Sequence, residues 1–314
     1  MPRDFLHNHP QFVDLVRIVA EEKSIDPALV EKDYWIMHCL YGLQQLGFTF
    51  QLKGGTSLSK GHKIIDRFSE DIDIPIEPPP DRDVKAGKNQ NSPAQVKTRK
   101  DFYDWLAQTI NIDGISDVER DTAFDDIPNY RGAGIRLTYD SVSEALDGLR
   151  EGVLLEVGFD TVAPNTPKDI SSWLYEYAAK VDIIDNRAKS VPCYDPGYTF
   201  VEKLQTVSTK FRNQQRDGTD PVDFMRHYYD IYELLQRSEV QKFIGTDAYK
   251  QHKQNRFRQA DNQNIAENDA FFLNDAETKA LYADAYERSS ALYYADKPSF
   301  EQIRAEVSKW VDKL

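Results

Sequence analysis

Residues 53–76 read KGGTSLSKGHKIIDRFSEDIDIPI. A bare Gly54-Gly55 pair and two hydroxyl residues, Thr56 and Ser57, stand ahead of Asp71 and Asp73, which lie one residue apart. EDIDIPI (70–76) alternates polar and apolar residues, the pattern of a half-buried strand. Successive strand side chains point to opposite faces, so Asp71 and Asp73 share one face while Ile72, Ile74 and Ile76 share the other. The isoleucines are expected in a core and the aspartates at its rim. Two carboxylates that close repel one another unless a cation lies between them or one takes up a proton. Oxygen-only donors favour Mg²⁺ or Mn²⁺ over zinc. FTFQLK (48–53) reads as a strand ending at the glycine pair, and SLSKGHKIID (57–66) as a short helix. Glycine tolerates positive φ and close approach of a ligand. The free N–H groups of a helix start would then face an anion. The expectation is a triphosphate on the turn, a divalent ion on the aspartates and phosphoryl chemistry between them. A glycine pair alone is usually a turn, and Asp-x-Asp alone a solvated strand face. It is their separation, with a strand on each side, that carries the signal. No Gly-Lys-Ser/Thr follows the glycines, so this is not a Walker loop.

Farther along, GAGIRLTYD (132–140) and EGVLLEVGFD (151–160) look like a strand pair. Leu154, Glu156 and Gly158 share a face opposite Val153, Leu155, Val157 and Phe159. Glu156 is thus either a third ion-binding carboxylate or an edge glutamate facing water. Helical spacing runs over 9–22, 26–46 and 100–110, then over 197–213, 221–237, 240–257, 275–294 and 298–313. Residues 77–98 read as a loop and 162–169 as a boundary loop. The expected organisation is an N-terminal helical cap (1–47), an α/β core (48–165) and a helical C-terminal half (166–314). On the helix over 200–211, Phe200, Val201, Leu204, Val207 and Phe211 form an apolar stripe flanked by Lys203 and Lys210. On the next helix Asp223, His227 and Asp230 share a face. Solvated lysines and an ordinary polar face are the plain alternatives for these two groups.

The chain has 314 residues, 40% of them hydrophobic, enough for a sizeable core, and a net charge of −13. The acidic total argues against a protein that coats nucleic acid through bulk charge. Two local basic runs could contact a phosphate backbone: Lys85, Lys88, Lys97, Arg99 and Lys100, and the stretch YKQHKQNRFR (249–258). Either run alone is more often a solvated face. Cys39 and Cys193 lie far apart without metal-ligand spacing, which fits reduced thiols in a cytosol. MPRDFLHNHPQF has no signal-peptide core, and YWIMHCLYGL (34–43) is too short to span a bilayer. A cytoplasmic protein is expected.

The glycine pair with its hydroxyl residue, the spacer, Asp71-Ile72-Asp73 and a later strand acid resemble the polymerase-beta-like nucleotidyltransferase superfamily. The 14 residues between Thr56 and Asp71 make a slightly long spacer. More narrowly, KGGTSLSK, RFSEDIDI, EKDYWI (31–36), VEKLQTVSTKFRN (201–213) and RHYYDIYEL (226–234) are similar to the AbiEii/AbiGii toxin family. These blocks run from residue 31 to about 235, and nothing in 238–314 adds to them. The resemblance implies an α+β fold with a small mixed sheet, a helical C-terminal half, and a toxin of bacterial type IV toxin–antitoxin systems. It also implies metal-dependent transfer of a nucleoside monophosphate from a nucleoside triphosphate (NTP) to an acceptor hydroxyl, an RNA and plausibly the tRNA 3′ end, and a cognate antitoxin. Carried over by position, its first motif falls on Gly55, Thr56 and Ser57 with Asp71 and Asp73, its lysine-bearing helix on Lys203, with Lys210 a second candidate, and its late aspartate on Asp230. Together with the reading of the residues above, Gly54, Gly55, Thr56, Ser57 and Lys210 are expected on the nucleotide, Asp71, Asp73 and Glu156 on the metal, and Lys203 and Asp230 with them in the chemistry. His227 stands where the family often has a further acid. Two other readings stay open: a nucleotide- or antitoxin-binding module without turnover, and a small-molecule nucleotidyltransferase.

Overall fold

The computed structural model describes residues 3–160, 162–179 and 182–314. Two compact units emerge, residues 1–62 with 68–194, and residues 63–67 with 195–314.

The first unit begins with α1 (Phe12–Lys23) and α2 (Pro27–Gln45). Asp26 starts α2 by accepting from the Ala28 N–H, with Pro27 in the first turn, a placement that wastes no backbone donor. A single turn, α3 (Gly54–Thr56), continues as a π-type turn over Ser57–Gly61. The helix expected over 57–66 therefore stops at Gly61, and Lys63–Arg67 belong to the second unit. Next come β1 (Asp71–Pro75), α4 (Pro93–Thr109), β2 (Ile115–Asp121), β3 (Gly132–Tyr139), β4 (Val153–Gly158), β5 (Asn165–Ile170), α5 (Trp173–Ala178) and β6 (Ala188–Tyr194). The helix expected from residue 100 starts at Pro93, inside the expected 77–98 loop. Ser92 and Gln95 form a reciprocal capping box there, a local signal that outweighs the polar composition. The expected boundary loop 162–169 largely forms β5, which pairs antiparallel with β6.

Four strands form a mixed sheet in the order β1-β4-β3-β2, with β1 parallel to β4 and the other pairs antiparallel. The expected strand over 48–53 lies along β1 only through the bridges Phe50 to Ile76 and Lys53 to Asp73. One sheet face is apolar. Ile72, Ile74, Ile135, Leu137, Val153, Leu155 and Val157 are all buried, as are Phe102, Tyr103 and Leu106 of α4, which packs on β2 and β3. The opposite face carries Asp71, Asp73, Glu156, Arg136 and Asp121, and the active-site candidates lie there.

The second unit is helical: α6 (Pro196–Asp217), α7 (Met225–Leu235), α8 (Ser238–Phe243), α9 (Asp247–Arg256), α10 (Asp269–Phe272), α11 (Ala276–Arg288) and α12 (Phe300–Trp310). Phe200, Val201, Leu204 and Val207 of α6 are fully buried, as their spacing predicts. The single helix expected over 240–257 is two. Gly245, at φ +81°, and the Thr246 cap end α8 and restart the chain as α9.

Candidate active site

The parallel register sets Asp73 beside Glu156 and Asp71 beside Leu154. All four side chains therefore share a face, and neighbouring strands lie ~4.8 Å apart. Asp71, Asp73 and Glu156 are half-buried, while the flanking isoleucines are sealed below. Gly54 closes in from the side at φ +70°, and a Cβ there would fall 2.1 Å from Asp73 Oδ2. Only glycine lets the turn lie against that carboxylate. The Lys53 N–H donates to the Asp73 carbonyl at 3.0 Å, and Thr56 Oγ1 donates to the Asp71 carbonyl at 2.7 Å. Turn and strand are thus locked together through their backbones.

Thr56 and Ser57 are buried, and the Thr56 hydroxyl is engaged inward on Asp71. The turn presents Gly54, half-buried, rather than these hydroxyls. Arg150 brings Nη1 to 3.3 and 3.4 Å from the two oxygens of Asp71. Among the described residues, no three carboxylate, imidazole or thiol groups are already gathered into an ion cage. In donor chemistry and register the set suits a hard divalent cation: three carboxylates on one face of two adjacent strands.

The second unit carries its own polar cluster. Asp230 of α7 has no exposed surface and accepts from Arg67 Nε and Nη2, both at 2.7 Å. Lys203 Nζ of α6 lies 2.9 Å from Asp230 Oδ2 and 3.3 Å from His227 Nδ1. Burial alone would raise the Asp230 carboxyl, but the charges of Arg67 and Lys203 overcome it and hold the group well below the usual carboxylate range. Burial, then the charges of Lys203 and Arg226, hold His227 neutral. A neutral imidazole can still accept from Lys203. Lys203 is 8% exposed, whereas Lys210 stands exposed on α6 and Asp223 lies exposed before α7.

Several residues that matter here were missed by sequence reasoning. Arg67 lies inside the opening stretch, where its value was hidden because its partner is 163 residues away. Glu31, Lys32 and Asp33 were quoted only as part of a resembling block. All three are about 1% exposed. Glu31 accepts from Ser141 Oγ and the N–H groups of Val142 and Ser143, and Asp33 pairs with Lys60. Three consecutive charges inside an otherwise buried helix were the available signal. The basic runs lie mostly at the surface, and several of their charges are already paired. Arg99 is buried and donates to the carbonyls of Asn129, Lys85 and Gln90. Lys97 and Lys100 pair with Asp101 and Asp104, and Arg256 with Glu202. Lys88, Lys250 and Arg258 stay exposed.

A family model described as the nucleotidyl transferase AbiEii toxin of type IV toxin–antitoxin systems matches residues 38–306. The chain belongs to the AbiEii family. It is therefore a nucleotidyltransferase of the toxin class, in a family whose systems are of the toxin–antitoxin kind. The match runs on through α11 and most of α12, so the AbiEii pattern includes the helices after residue 238 in which the sequence showed no resemblance. Among solved structures, an antigenic nucleotidyltransferase-like protein from Paracoccidioides brasiliensis aligns at 16% identity and a TM-score of 0.32, over 86% of this AbiEii chain and 97% of its own. No curated protein sequence matches. No described helix is long and apolar enough to cross a membrane.

Proposed function

We propose that this toxin transfers a nucleoside monophosphate from an NTP to the hydroxyl of an RNA, the 3′ end of tRNA being the favoured acceptor. The observation that supports the reading is the register: Asp73 beside Glu156, Asp71 on the same face, and Gly54 against Asp73. Asp71, Asp73 and Glu156 would hold Mg²⁺ or Mn²⁺, which when bound supplies positive charge to the reacting phosphate oxygens. Glu156 takes the proton of the acceptor hydroxyl. The acceptor oxygen forms a bond to the α-phosphorus, the bond to the β-phosphate oxygen breaks, and pyrophosphate leaves. Lys203 offsets charge developing on the triphosphate. Charge counting supports this role: Arg67, Lys203 and Asp230 carry two positive charges against one negative, and Asp230 already serves Arg67 with both oxygens. Asp230 is sealed from solvent, so it acts by orienting Lys203. The tRNA acceptor rests on the family resemblance.

The test is incubation with each labelled NTP, Mg²⁺ and total RNA, read by gel and by pyrophosphate release. Label should enter RNA with at least one nucleotide. Asp73→Asn should cut the rate by ~10³-fold or more while leaving the circular dichroism unchanged. Nucleotide binding without pyrophosphate release would favour a module without turnover, and label on a small molecule but never on RNA would replace the acceptor.

A further inference from the structure

The loop from β3 to β4 carries an arginine whose backbone is gripped on both sides. The Arg150 N–H donates to Glu70 Oε2 at 3.2 Å, and its carbonyl accepts from Lys32 Nζ. Glu70 and Lys32 are themselves 3.6 Å apart, at 6% and 1% exposure. Two charges withdrawn from water are costly unless each is paired and hydrogen-bonded. Here they are, and both backbone groups of Arg150 complete the arrangement. Glu31 fixes the same loop earlier, at Ser141, Val142 and Ser143. The side chain so positioned lies 5.2 Å over the Phe124 ring and ends at both oxygens of Asp71. It stays 42% exposed.

We propose that Arg150 is a positioning residue that couples ion binding to nucleotide binding. It is the resident counter-charge of Asp71, yields that carboxylate when a divalent cation enters, and then pairs with a phosphate of the nucleotide. This rests on Asp71, Asp73 and Glu156 being the ion-binding set. Guanidinium and cation compete for the same two oxygens, so the arginine lowers affinity for the bare ion. Its contacts, 3.3 and 3.4 Å, are long beside the ~2.8 Å of a firm charge-assisted hydrogen bond, which suits a partner that must let go. Once displaced, its planar donor fork matches the oxygens of a phosphate. The triphosphate is the anion that the reaction itself brings.

The clamp uses backbone atoms, so truncating the side chain leaves it in place. Free Mn²⁺ would be titrated by its paramagnetic resonance signal against wild type, Arg150→Ala and Arg150→Lys without nucleotide, and the KM for NTP measured separately. Removing one positive charge beside the ion should tighten Mn²⁺ binding about tenfold in Arg150→Ala. The KM for NTP should rise about tenfold in the same protein, with Arg150→Lys between. A residue that merely supports the loop would not move the two in opposite directions. Equal or weaker Mn²⁺ binding in Arg150→Ala, with binding abolished in Asp73→Asn, overturns the proposal alone. Absence of Mn²⁺ binding in wild type and Arg150→Ala alike overturns both the proposal and the ion-binding reading.

Discussion

At the scale of single residues, two contacts dominate. Gly54 is held at φ +70° with the Asp73 carboxylate where its Cβ would be. Gly54→Ala therefore meets two penalties, a left-handed backbone costing ~1–2 kcal/mol and a displaced carboxylate. Transfer activity should fall ~10²-fold or more, since small misplacements at a reacting centre cost that much. Near-native circular dichroism alongside lost RNA labelling would confirm it, and full activity would show that the turn need not touch Asp73. Asp230 is the second case. Its two partners are cations, both of them buried with it. Asp230→Asn leaves Arg67 buried beside a neutral amide, and breaking a buried pair in this way costs ~3–5 kcal/mol. Chemical denaturation should show that loss, together with a fall in activity. Arg67→Lys keeps the charge but not the two-pronged geometry and should lose less. If Asp230→Asn unfolds at the wild-type denaturant midpoint, the buried cluster is not holding α7 to Arg67.

At the scale of elements, α2 shows how a helix can look like core while performing polar work. Fifteen of its residues are buried, and among them Glu31 and Lys32 anchor the β3–β4 loop at two points while Asp33 pairs with Lys60. Glu31 accepts three hydrogen bonds from the 141–143 loop. Glu31→Gln turns donors toward donors there and should lower stability by ~2 kcal/mol. Hydrogen exchange should quicken at the Val142 and Ser143 amides before it quickens in β1 or β4. Unchanged exchange at those two amides would count against the anchoring role. The same helix marks the limit of what sequence shows. Alternation announced β1 and β4 because one face of each is apolar, and that period also assigned the faces of Asp71, Asp73 and Glu156. ISDVERD (β2) and NTPKDI (β5) stayed hidden because neither buries a continuous apolar face, so no alternation is left to read. The 63–67 segment was taken for the end of a helix. Its packing with the helical unit, through Arg67 to Asp230 and Arg237 to the Ile64 carbonyl, is long-range and leaves no local pattern. That packing also gives the long spacer between the glycine turn and Asp71 a physical purpose.

At the scale of the whole molecule, ionisation should govern stability through histidine rather than through net charge. Four of the six histidines are held below their ordinary value, chiefly by burial: His7 and His38 in the first unit, His227 and His252 in the second. His38, pushed down to about 4, is fixed by the Asp113 carbonyl and Asn186. In each case the folded value lies below the unfolded value of ~6.5, so the unfolded chain binds the proton first. Their stabilisation is complete above about pH 6.5 and declines as the pH falls, each histidine contributing up to ~1.4 kcal/mol per pH unit. Asp230, with its depressed carboxyl, adds nothing to this window; its contribution is lost only as the pH falls below ~4. Net charge acts in the opposite sense. At −13 the chain repels itself, and taking up protons between pH 7.5 and 5.5 relieves that repulsion. The two accounts therefore predict opposite signs. If burial of neutral histidines dominates, the denaturant midpoint falls from pH 7.5 to pH 5.5, and His38→Gln or His227→Gln flattens the fall. His227→Gln retains an acceptor for Lys203, so its effect on the pH slope is separable from loss of the cluster. A midpoint that rises on acidification would mean that self-repulsion outweighs the four depressed histidines.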